Sequence, residues 1–153
     1  MKKSILLLLV IFLLVYSGCS SNKGDAKSIS NTSDNAVMPL TEDYFKKTIY
    51  NYDLNKEWKY EGTQPVIIDF YADWCPPCRQ LSPLVEEIAK EYQGKILVYK
   101  VNTDQEKLLA QSLGITGLPT LLFIPSEGKP HASMGYVPKD AILKTIKEVL
   151  LTR

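Results

Sequence analysis

The sequence predicts an α/β fold in which a central mixed β-sheet of about five strands is flanked by about four helices. Its clearest strand is segment 66–71, VIIDFY, whose β-branched and aromatic residues are typical of a strand buried on both faces. Apolar residues at helical spacing follow this strand, and strand and helix alternate again further along the chain. Two late strands joined by a short turn must be antiparallel, so the sheet is predicted to contain both strand directions.

Composition indicates one globular domain with a short extension. The chain has 153 residues, of which 45% are hydrophobic, enough for a single core. Its formal net charge of +1 gives no indication of nucleic-acid binding. We expect a monomer without a nucleic-acid partner.

The first predicted elements of the folded part are an edge strand and a helix. Segment 37–40 is predicted to form a short strand, and Pro39 places it at a sheet edge because proline cannot donate to a β-ladder. Thr41 is a suitable N-cap for a helix that runs to about Tyr50.

A long polar link over residues 51–64 follows that helix, and it contains two large aromatic side chains, Trp58 and Tyr60. We expect both to pack over the end of the sheet, because large aromatic residues contribute most to stability when they are buried. The alternative is that they form a partner-binding patch.

The remaining predicted elements follow the buried strand in chain order. They are a helix that ends at Gly94, a strand over 96–101, a helix over 105–113 closed by Gly114, strands over 120–124 and 131–136, and a final helix lined by Ile142, Ile146, Val149 and Leu150. A turn at Gly128 separates the last two strands, which are therefore expected to pair with each other.

The N-terminus has the features of an export signal. Lys2 and Lys3 form a positive n-region, and the apolar run over 5–15 is too short for the roughly 20 residues of a transmembrane helix. The run ends in VYSGC, which resembles a bacterial lipobox in which Cys19 would be lipidated. We predict a lipoprotein signal peptide over 1–18; the alternative is an ordinary secretory signal with an unmodified Cys19.

Residues 19–36 are predicted to be a flexible tether between a lipid anchor and a folded domain over 37–153. They are mostly Ser, Asn, Lys, Gly and Asp, which cannot offset the entropy cost of ordering the chain. Removal of residues 1–18 takes away two lysines and no acidic residue, so the mature chain would have a net charge of −1. The expected location is outside the cytoplasm, on a bacterial membrane that faces the periplasm or the cell exterior.

The candidate reactive site is the CPPC sequence that follows the buried strand. Cys75 is expected at a helix N-terminus, where free N–H groups and the positive end of the helix dipole stabilise a thiolate. Pro76 and Pro77 suit the first helical turn, which needs no N–H donor. Cys78, one turn further, can reach back to Cys75, and such a pair can alternate between a dithiol and a disulfide. We predict redox chemistry with Cys75 as the nucleophile.

Two other interpretations of the cysteine pair are less well supported. Structural zinc usually requires four Cys or His ligands, and only His131 could join the two cysteines. A purely structural disulfide across so short a loop would restrain little of the unfolded chain. No metal site is predicted, and His131, which is far from the cysteines in sequence, is expected to be structural or exposed.

Four motifs in fixed order, DFYADWCPPC, KVNTDQ, GITGLPT and SMGYV, resemble the thioredoxin family over about residues 37–150. The resemblance implies the thioredoxin fold. The chain departs from the pattern at Pro76, where the cytosolic members usually have Gly. This difference concerns the redox poise of the cysteine pair and leaves the expected fold unchanged.

The buried strand contains one carboxylate, Asp69, whose pKa is expected to rise because burial disfavours the charged form. The resemblance implies that Asp69 assists the deprotonation of Cys78, and Lys100 in the neighbouring strand is its natural charge partner. The alternative is a structural carboxylate that is satisfied by a hydrogen bond or by Lys100.

The resemblance also implies that the peptide bond before Pro119 is cis and faces the cysteines. An extended substrate peptide would then bind in an apolar groove around Cys75. The groove residues expected on this basis are Trp74, Gly117, Leu118, Gly135 and Tyr136.

These expectations describe a thiol–disulfide oxidoreductase that reduces protein disulfides outside the cytoplasm. No bound cofactor is needed, and a membrane electron carrier is implied as the reductant because an exported dithiol is remote from cytosolic reductants.

The two prolines between the cysteines favour a reductase over an oxidase. The first N–H groups able to reach a Cys75 thiolate are those of Cys78 and Arg79, and a thiolate with few donors is less stabilised, which makes the reduced pair a better reductant. The alternatives are a disulfide oxidase or isomerase and, from another class, a copper-handling protein.

Overall fold

The structure is a computed structural model that describes residues 36–152. The predicted signal peptide, Cys19 and the predicted tether up to residue 35 lie outside the described residues. Within residues 36–152, no helix has both the length and the apolar composition that are needed to cross a membrane.

Five strands and four α-helices are present in this part of the chain, so the predicted fold class is confirmed. The strands are β1 (Met38–Pro39), β2 (Val66–Tyr71), β3 (Leu97–Asn102), β4 (Thr120–Ile124) and β5 (His131–Met134). The helices are α1 (Glu42–Thr48), α2 (Pro76–Glu91), α3 (Lys107–Ser112) and α4 (Lys139–Thr145), and a π-helical turn over Ile146–Leu150 continues α4.

The strands form one mixed sheet in the order β1-β3-β2-β4-β5. β1 and β2 run parallel to β3, whereas β4 runs antiparallel to both β2 and β5. β2 therefore lies at the centre and β1, with its proline, lies at an edge, as the sequence predicts. The register of β2 and β3 places Asp69 beside Lys100 and Tyr71 beside Asn102.

The side chains of β2 alternate between two apolar cores. Val66, Ile68 and Phe70 pack on the face that α1 and α3 cover, whereas Ile67 packs under α2 and α4 on the opposite face. Because side chains alternate along a strand, Asp69 lies on the same face as Ile67. The buried carboxylate is thus on the side of the sheet that α2 covers, and α2 is the helix that starts at the cysteines.

Local signals in the sequence set several element ends. The Thr41 hydroxyl accepts a hydrogen bond from the Tyr44 N–H at 3.3 Å, as expected of an N-cap. Gly94 and Gly114 follow α2 and α3 with φ values of 79° and 69°, in the left-handed region that glycine adopts most easily.

The 51–64 segment packs its aromatic side chains against the core that α1 and α3 cover. Trp58 and Tyr60 are partly buried there, and the Trp58 ring centroid lies 4.7 Å from that of Tyr50. The expectation that these residues pack over the sheet is therefore confirmed.

Among the element boundaries that differ from the predicted ones, two have a clear cause in the local backbone geometry. β5 ends at Met134 instead of residue 136, because Gly135 has a φ of 90° and its N–H donates to the Pro119 carbonyl at 2.7 Å. α3 begins at Lys107 instead of residue 105, because the N–H groups of Gln105 and Glu106 both donate to the Asn102 carbonyl in a turn.

Candidate redox site

Cys75 and Cys78 form a disulfide where β2 ends and α2 begins, with their Cα atoms 5.3 Å apart. Cys75 is the N-cap of α2, and Pro76 and Pro77 occupy the first two helical positions. Both cysteines are buried. The sequence predicts this placement from the strand, the CPPC spacing and the helical periodicity that follows.

One backbone donor reaches the Cys75 sulfur within this turn. The Cys78 N–H donates to Cys75 Sγ at 3.2 Å, whereas the Arg79 N–H donates to the Cys75 carbonyl at 3.3 Å. The expectation that Arg79 would also solvate the sulfur is therefore wrong, because ordinary helical hydrogen bonding uses its N–H. Since neither proline has an N–H, Cys78 alone supplies a backbone donor from this turn.

Asp69 lies beside Cys78 in a cleft of about 300 Å³, which Lys100 and Arg79 also line. Its side chain is only 4% exposed, and its Oδ1 atom has no hydrogen-bond partner among residues 36–152. Burial raises the pKa of Asp69 to about 7, against the opposing effect of the positive charge on Lys100. A carboxyl group with this pKa can both accept and release a proton near neutral pH.

Lys100 is placed as the sequence predicts but does not satisfy Asp69 directly. The two residues are register partners on β2 and β3, and Lys100 is exposed. In the described part of the chain no ion pair joins the two side chains. The alternative in which Lys100 or a hydrogen bond fully satisfies the carboxylate is not what the geometry shows.

Cys75 lines a second cleft, of about 360 Å³, together with Trp74, Gly117 and Leu118. Three of the five predicted groove residues therefore meet at the same cleft as the predicted nucleophile. Leu118 also packs against the cysteine pair. The disulfide thus contributes Cys75 to one cleft and Cys78 to the other.

The Leu118–Pro119 peptide bond is cis, the isomer that the resemblance implies. Pro119 is buried, and its carbonyl accepts the hydrogen bond from Gly135. This bond connects the end of β5 to the loop that carries the cis bond. Gly135 therefore helps to hold that loop in place through its backbone hydrogen bond.

Gly135 and Tyr136 do not line the Cys75 cleft, which differs from the predicted groove. The physical reason is that β5 ends at Met134, so the chain turns away at Gly135. The side chain that approaches the groove is Met134: a Cβ atom at Gly117 would lie 2.8 Å from its Sδ. Met134 is 61% exposed, and the sequence signal that could have identified it is its position before the glycine of SMGYV.

Trp74 is held at the cleft by a contact that sequence reasoning missed. Its indole N–H donates to Asp104 Oδ2 at 2.9 Å, although 67% of the Trp74 surface is exposed. Asp104 follows β3 within the KVNTDQ motif, but nothing in that motif indicates that Asp104 accepts a hydrogen bond from Trp74. The partnership depends on the register between β2 and β3.

His131 is exposed on β5, opposite Phe123, as expected for a residue without a role at the cysteines. Within the described residues, no group of three or more His, Cys, Asp or Glu side chains is arranged to hold a metal ion.

Comparison with known proteins agrees with this geometry. The sequence profile of the Thioredoxin family matches residues 36–148. The chain belongs to the thioredoxin family. Members of this family are protein disulfide oxidoreductases, so the enzyme class expected from the CPPC motif is confirmed.

Individual relatives are similar over nearly their whole length. The chain is 46% identical to a thioredoxin of Borreliella burgdorferi over 112 residues, which are 73% of this chain and 96% of that protein. It is 37% identical to thioredoxin 1 of a Nostoc species over 115 residues, which are 75% of this chain and 98% of the relative. The crystal structure of chloroplastic thioredoxin z superposes with a TM-score of 0.61 at 26% identity, covering 73% of this chain and 92% of that one.

Proposed function

We propose that this thioredoxin-family chain is a lipid-anchored protein disulfide reductase that acts outside the cytoplasm through Cys75 and Cys78. The observation that carries the redox part is the Cys75–Cys78 disulfide at the start of α2, with the buried Asp69 in the cleft beside Cys78. The location rests on the sequence of residues 1–19, with its positive n-region, apolar run and SGC end.

In the first step, the Cys75 thiolate attacks one sulfur of a substrate disulfide. A new S–S bond joins Cys75 to the substrate while the substrate's own S–S bond breaks. The other substrate sulfur leaves with the electron pair and takes up a proton. The helix N-terminus and the Cys78 N–H stabilise the attacking thiolate.

In the second step, Cys78 resolves the mixed disulfide. Its thiol gives a proton to the Asp69 carboxylate, and its sulfur then attacks Cys75 Sγ. The bond to the substrate breaks, the second substrate sulfur leaves as a thiolate that takes a proton from water, and the Cys75–Cys78 disulfide remains. Two electrons have then passed from the cysteine pair to the substrate, whose two sulfurs have each taken up a proton. A cleft of about 300 Å³ has room for water, which would carry the proton away from Asp69.

The Cys75 cleft would bind the peptide that surrounds the substrate disulfide. Leu118, which precedes the cis proline, would offer backbone groups to an extended peptide. Trp74 and Gly117 would form its apolar surroundings, with Met134 next to Gly117. Gly135 and Tyr136 would act next to this surface: Gly135 by holding the Pro119 loop, and Tyr136 through its half-exposed ring.

The direction of the reaction depends on how strongly the protein stabilises the reduced pair. With a single backbone donor from its own turn, the Cys75 thiolate receives limited stabilisation, and a less stabilised reduced form makes a better reductant. An exported dithiol also needs a source of electrons, for which we propose a membrane electron carrier.

A trapping experiment tests the division of labour. Cys78→Ser should accumulate mixed disulfides with substrates, because the attacking sulfur remains and the resolving sulfur is gone, whereas Cys75→Ser should accumulate none. Non-reducing gels of membrane fractions from cells that make each full-length variant provide the measurement. Equal trapping by the two variants would reject these roles.

The reduction potential of the pair tests the direction. It is measured by equilibration of the protein with buffers of defined thiol–disulfide ratio. A value in the range of structural disulfides and cytosolic reductants supports a reductase, whereas a value near that of strong periplasmic oxidants would support the oxidase alternative. Tight copper binding by the reduced pair with no disulfide turnover would instead favour the copper-handling alternative.

A further inference from the structure

A buried amide side chain, Asn102, joins the two loops that hold Trp74. Asn102 is the last residue of β3 and is only 8% exposed. Its Nδ2 donates to Asp73 Oδ2 at 3.1 Å, and its Oδ1 accepts from the Asp104 N–H at 3.0 Å. Asp73 precedes Trp74 in the chain, and Asp104 accepts the Trp74 indole N–H. One side chain therefore fixes both ends of the Trp74–Asp104 hydrogen bond.

This arrangement explains how an exposed tryptophan can have a defined orientation. Nothing packs over most of the Trp74 surface, since 67% of it is exposed. Its position depends on the indole hydrogen bond and on the backbone before it, where Asp73 is also held by Arg79, whose Nη1 donates to the Asp73 carbonyl at 3.1 Å. Loss of the Asn102 bridge would weaken both supports and leave Asp73 held only by Arg79, while the disulfide and the start of α2 would keep their own hydrogen bonds.

We propose that Asn102 is a positioning residue for substrate binding, whose amide group holds Trp74 at the Cys75 cleft and thereby sets the affinity for the peptide around a substrate disulfide. This inference rests on the proposed reductase function, because it explains how the Cys75 cleft binds the peptide of a substrate disulfide. It does not assign Asn102 any contact with the reacting sulfur atoms.

The bridge requires an amide because it needs a donor and an acceptor on one short side chain. Asp would keep the acceptor for the Asp104 N–H but would replace the donor with a carboxylate that faces Asp73. Two carboxylates at hydrogen-bond distance repel each other unless one of them is protonated. The other charged or titratable groups around this pair are Asp104 on the following loop and, in the cleft that Asp73 lines, Asp69 on β2, Arg79 on α2 and Lys100 on β3. All four are the same in the native chain and in the variant, so their own titration affects both proteins.

The test is Asn102→Asp in the full chain, with steady-state reduction of a fluorescent peptide dimer joined by one disulfide. We expect KM to rise by about tenfold at pH 8 with kcat changed less than about twofold, because the lost contact positions the cleft and does not take part in the chemistry. Reduction of hydroxyethyl disulfide, which has no peptide to bind, should keep its native rate. The reduction potential of Cys75–Cys78 should also stay at its native value.

Low pH should partly restore the variant. A proton shared between the introduced carboxyl group and Asp73 again supplies a donor, so the KM ratio of variant to native should fall toward one between pH 8 and pH 5. The ratio is used because thiolate reactivity falls with pH in both proteins. Asn102→Ser removes the bridge without adding charge, so its KM increase should be independent of pH.

Two controls separate this role from general damage. Asn55→Asp adds the same charge and removes a side-chain donor in the remote 51–64 segment, and it should leave KM unchanged. Trp74→Phe should raise KM in the native background but add little in the Asn102→Asp background, because Trp74 is already released there.

Three results would overturn the inference: a native KM in Asn102→Asp, an equal loss on hydroxyethyl disulfide, or full additivity with Trp74→Phe. If circular dichroism shows that Asn102→Asp does not fold, Asn102→Ser tests the inference by the same KM and additivity criteria. Failure of the native chain to reduce any disulfide would reject the proposed function instead. In that case the NMR signal of the Trp74 indole N–H still tests the bridge, since it should shift in both Asn102 variants and not in Asn55→Asp.

Discussion

At the scale of single residues, Asp69 combines deep burial with a carboxylate oxygen that has no hydrogen-bond partner in residues 36–152. Ile67, which lies on the same face of β2, is buried as well, because α2 covers this side of the sheet. A carboxylate in such a strand costs stability whenever it is charged. Its retention beside Cys78 is explained by proton transfer in the proposed second step.

The effect of Asp69 on stability should depend on pH. The pKa of Asp69 is about 7 in the folded chain against an ordinary value of 3.8, so the folded state holds a proton that the unfolded state releases between these values. Native stability therefore falls as pH rises through this window, by up to roughly 4 kcal/mol. Asp69→Asn should be more stable than the native protein above pH 7, and this advantage should shrink toward pH 4.

Chemical denaturation of the oxidised proteins at several pH values measures this difference. Glu127→Gln, which neutralises an exposed carboxylate in the turn before β5, is the matched control and should show no such trend. An advantage of Asp69→Asn that is the same at every pH would contradict the proposed burial cost.

The same substitution should slow the reaction. Asp69→Asn keeps the shape of the side chain but cannot accept a proton from Cys78, so disulfide turnover near neutral pH should fall by about tenfold or more. The deficit should shrink at alkaline pH, where Cys78 ionises without help. Turnover of the peptide dimer from pH 6 to pH 10 provides the measurement, and a deficit that is absent or constant would mean that Asp69 has only a structural role.

At the scale of elements, the first turn of α2 controls how many donors reach Cys75. Residues at the second and third helical positions normally donate to an N-cap side chain, and here Pro77 occupies the second position. Only the third, Cys78, has an N–H to offer. The CPPC sequence thus places Cys75, the proposed nucleophile, at a helix N-terminus and limits the stabilisation that its thiolate receives there.

Restoring the missing donor should make the pair more oxidising. Pro77→Ala supplies an N–H at the second helical position, and an additional hydrogen bond to the thiolate should raise the reduction potential by roughly 20 to 40 mV. Pro76→Ala is the matched control, because an N–H at the first position does not reach an N-cap side chain. Equal shifts in the two variants would show that proline rigidity, and not the donor, sets the potential.

At the scale of the whole molecule, the proposed function combines a redox domain with an anchor. The family profile matches residues 36–148, so the predicted signal and nearly all of the predicted tether precede the matched region. The 17 residues over 20–36 of the predicted tether would have a root-mean-square reach on the order of 20 to 25 Å. The domain could then meet both membrane-bound and soluble partners near the membrane surface.

Acylation of Cys19 is the expected mark of this anchor. Mass spectrometry of the protein purified from a bacterial membrane should find a mature N-terminus at Cys19 that carries lipid. Cys19→Ala should abolish both the modification and the membrane association while the purified domain keeps its disulfide turnover. An N-terminus at another residue, or an unmodified Cys19, would exclude the lipoprotein assignment.

The sequence by itself determined the fold class, the central position of β2, the placement of Cys75 at the start of α2 and the burial of Asp69. These features follow from local patterns: an apolar run, a two-proline turn and helical periodicity, each of which acts within about ten residues of chain. The edge position of β1 follows equally from its proline. The resemblance to thioredoxins added the cis bond before Pro119.

The tertiary structure decided which distant side chains meet. The Trp74–Asp104 and Asn102–Asp73 hydrogen bonds join residues about 30 positions apart, and they form because the register of β2 and β3 places Tyr71 beside Asn102. At the end of β5, Met134 lies next to Gly117, whereas Gly135 turns the chain and donates to the Pro119 carbonyl. A shift of one residue in strand pairing would turn these side chains to the other face of the sheet, and no local pattern in the sequence specifies that register.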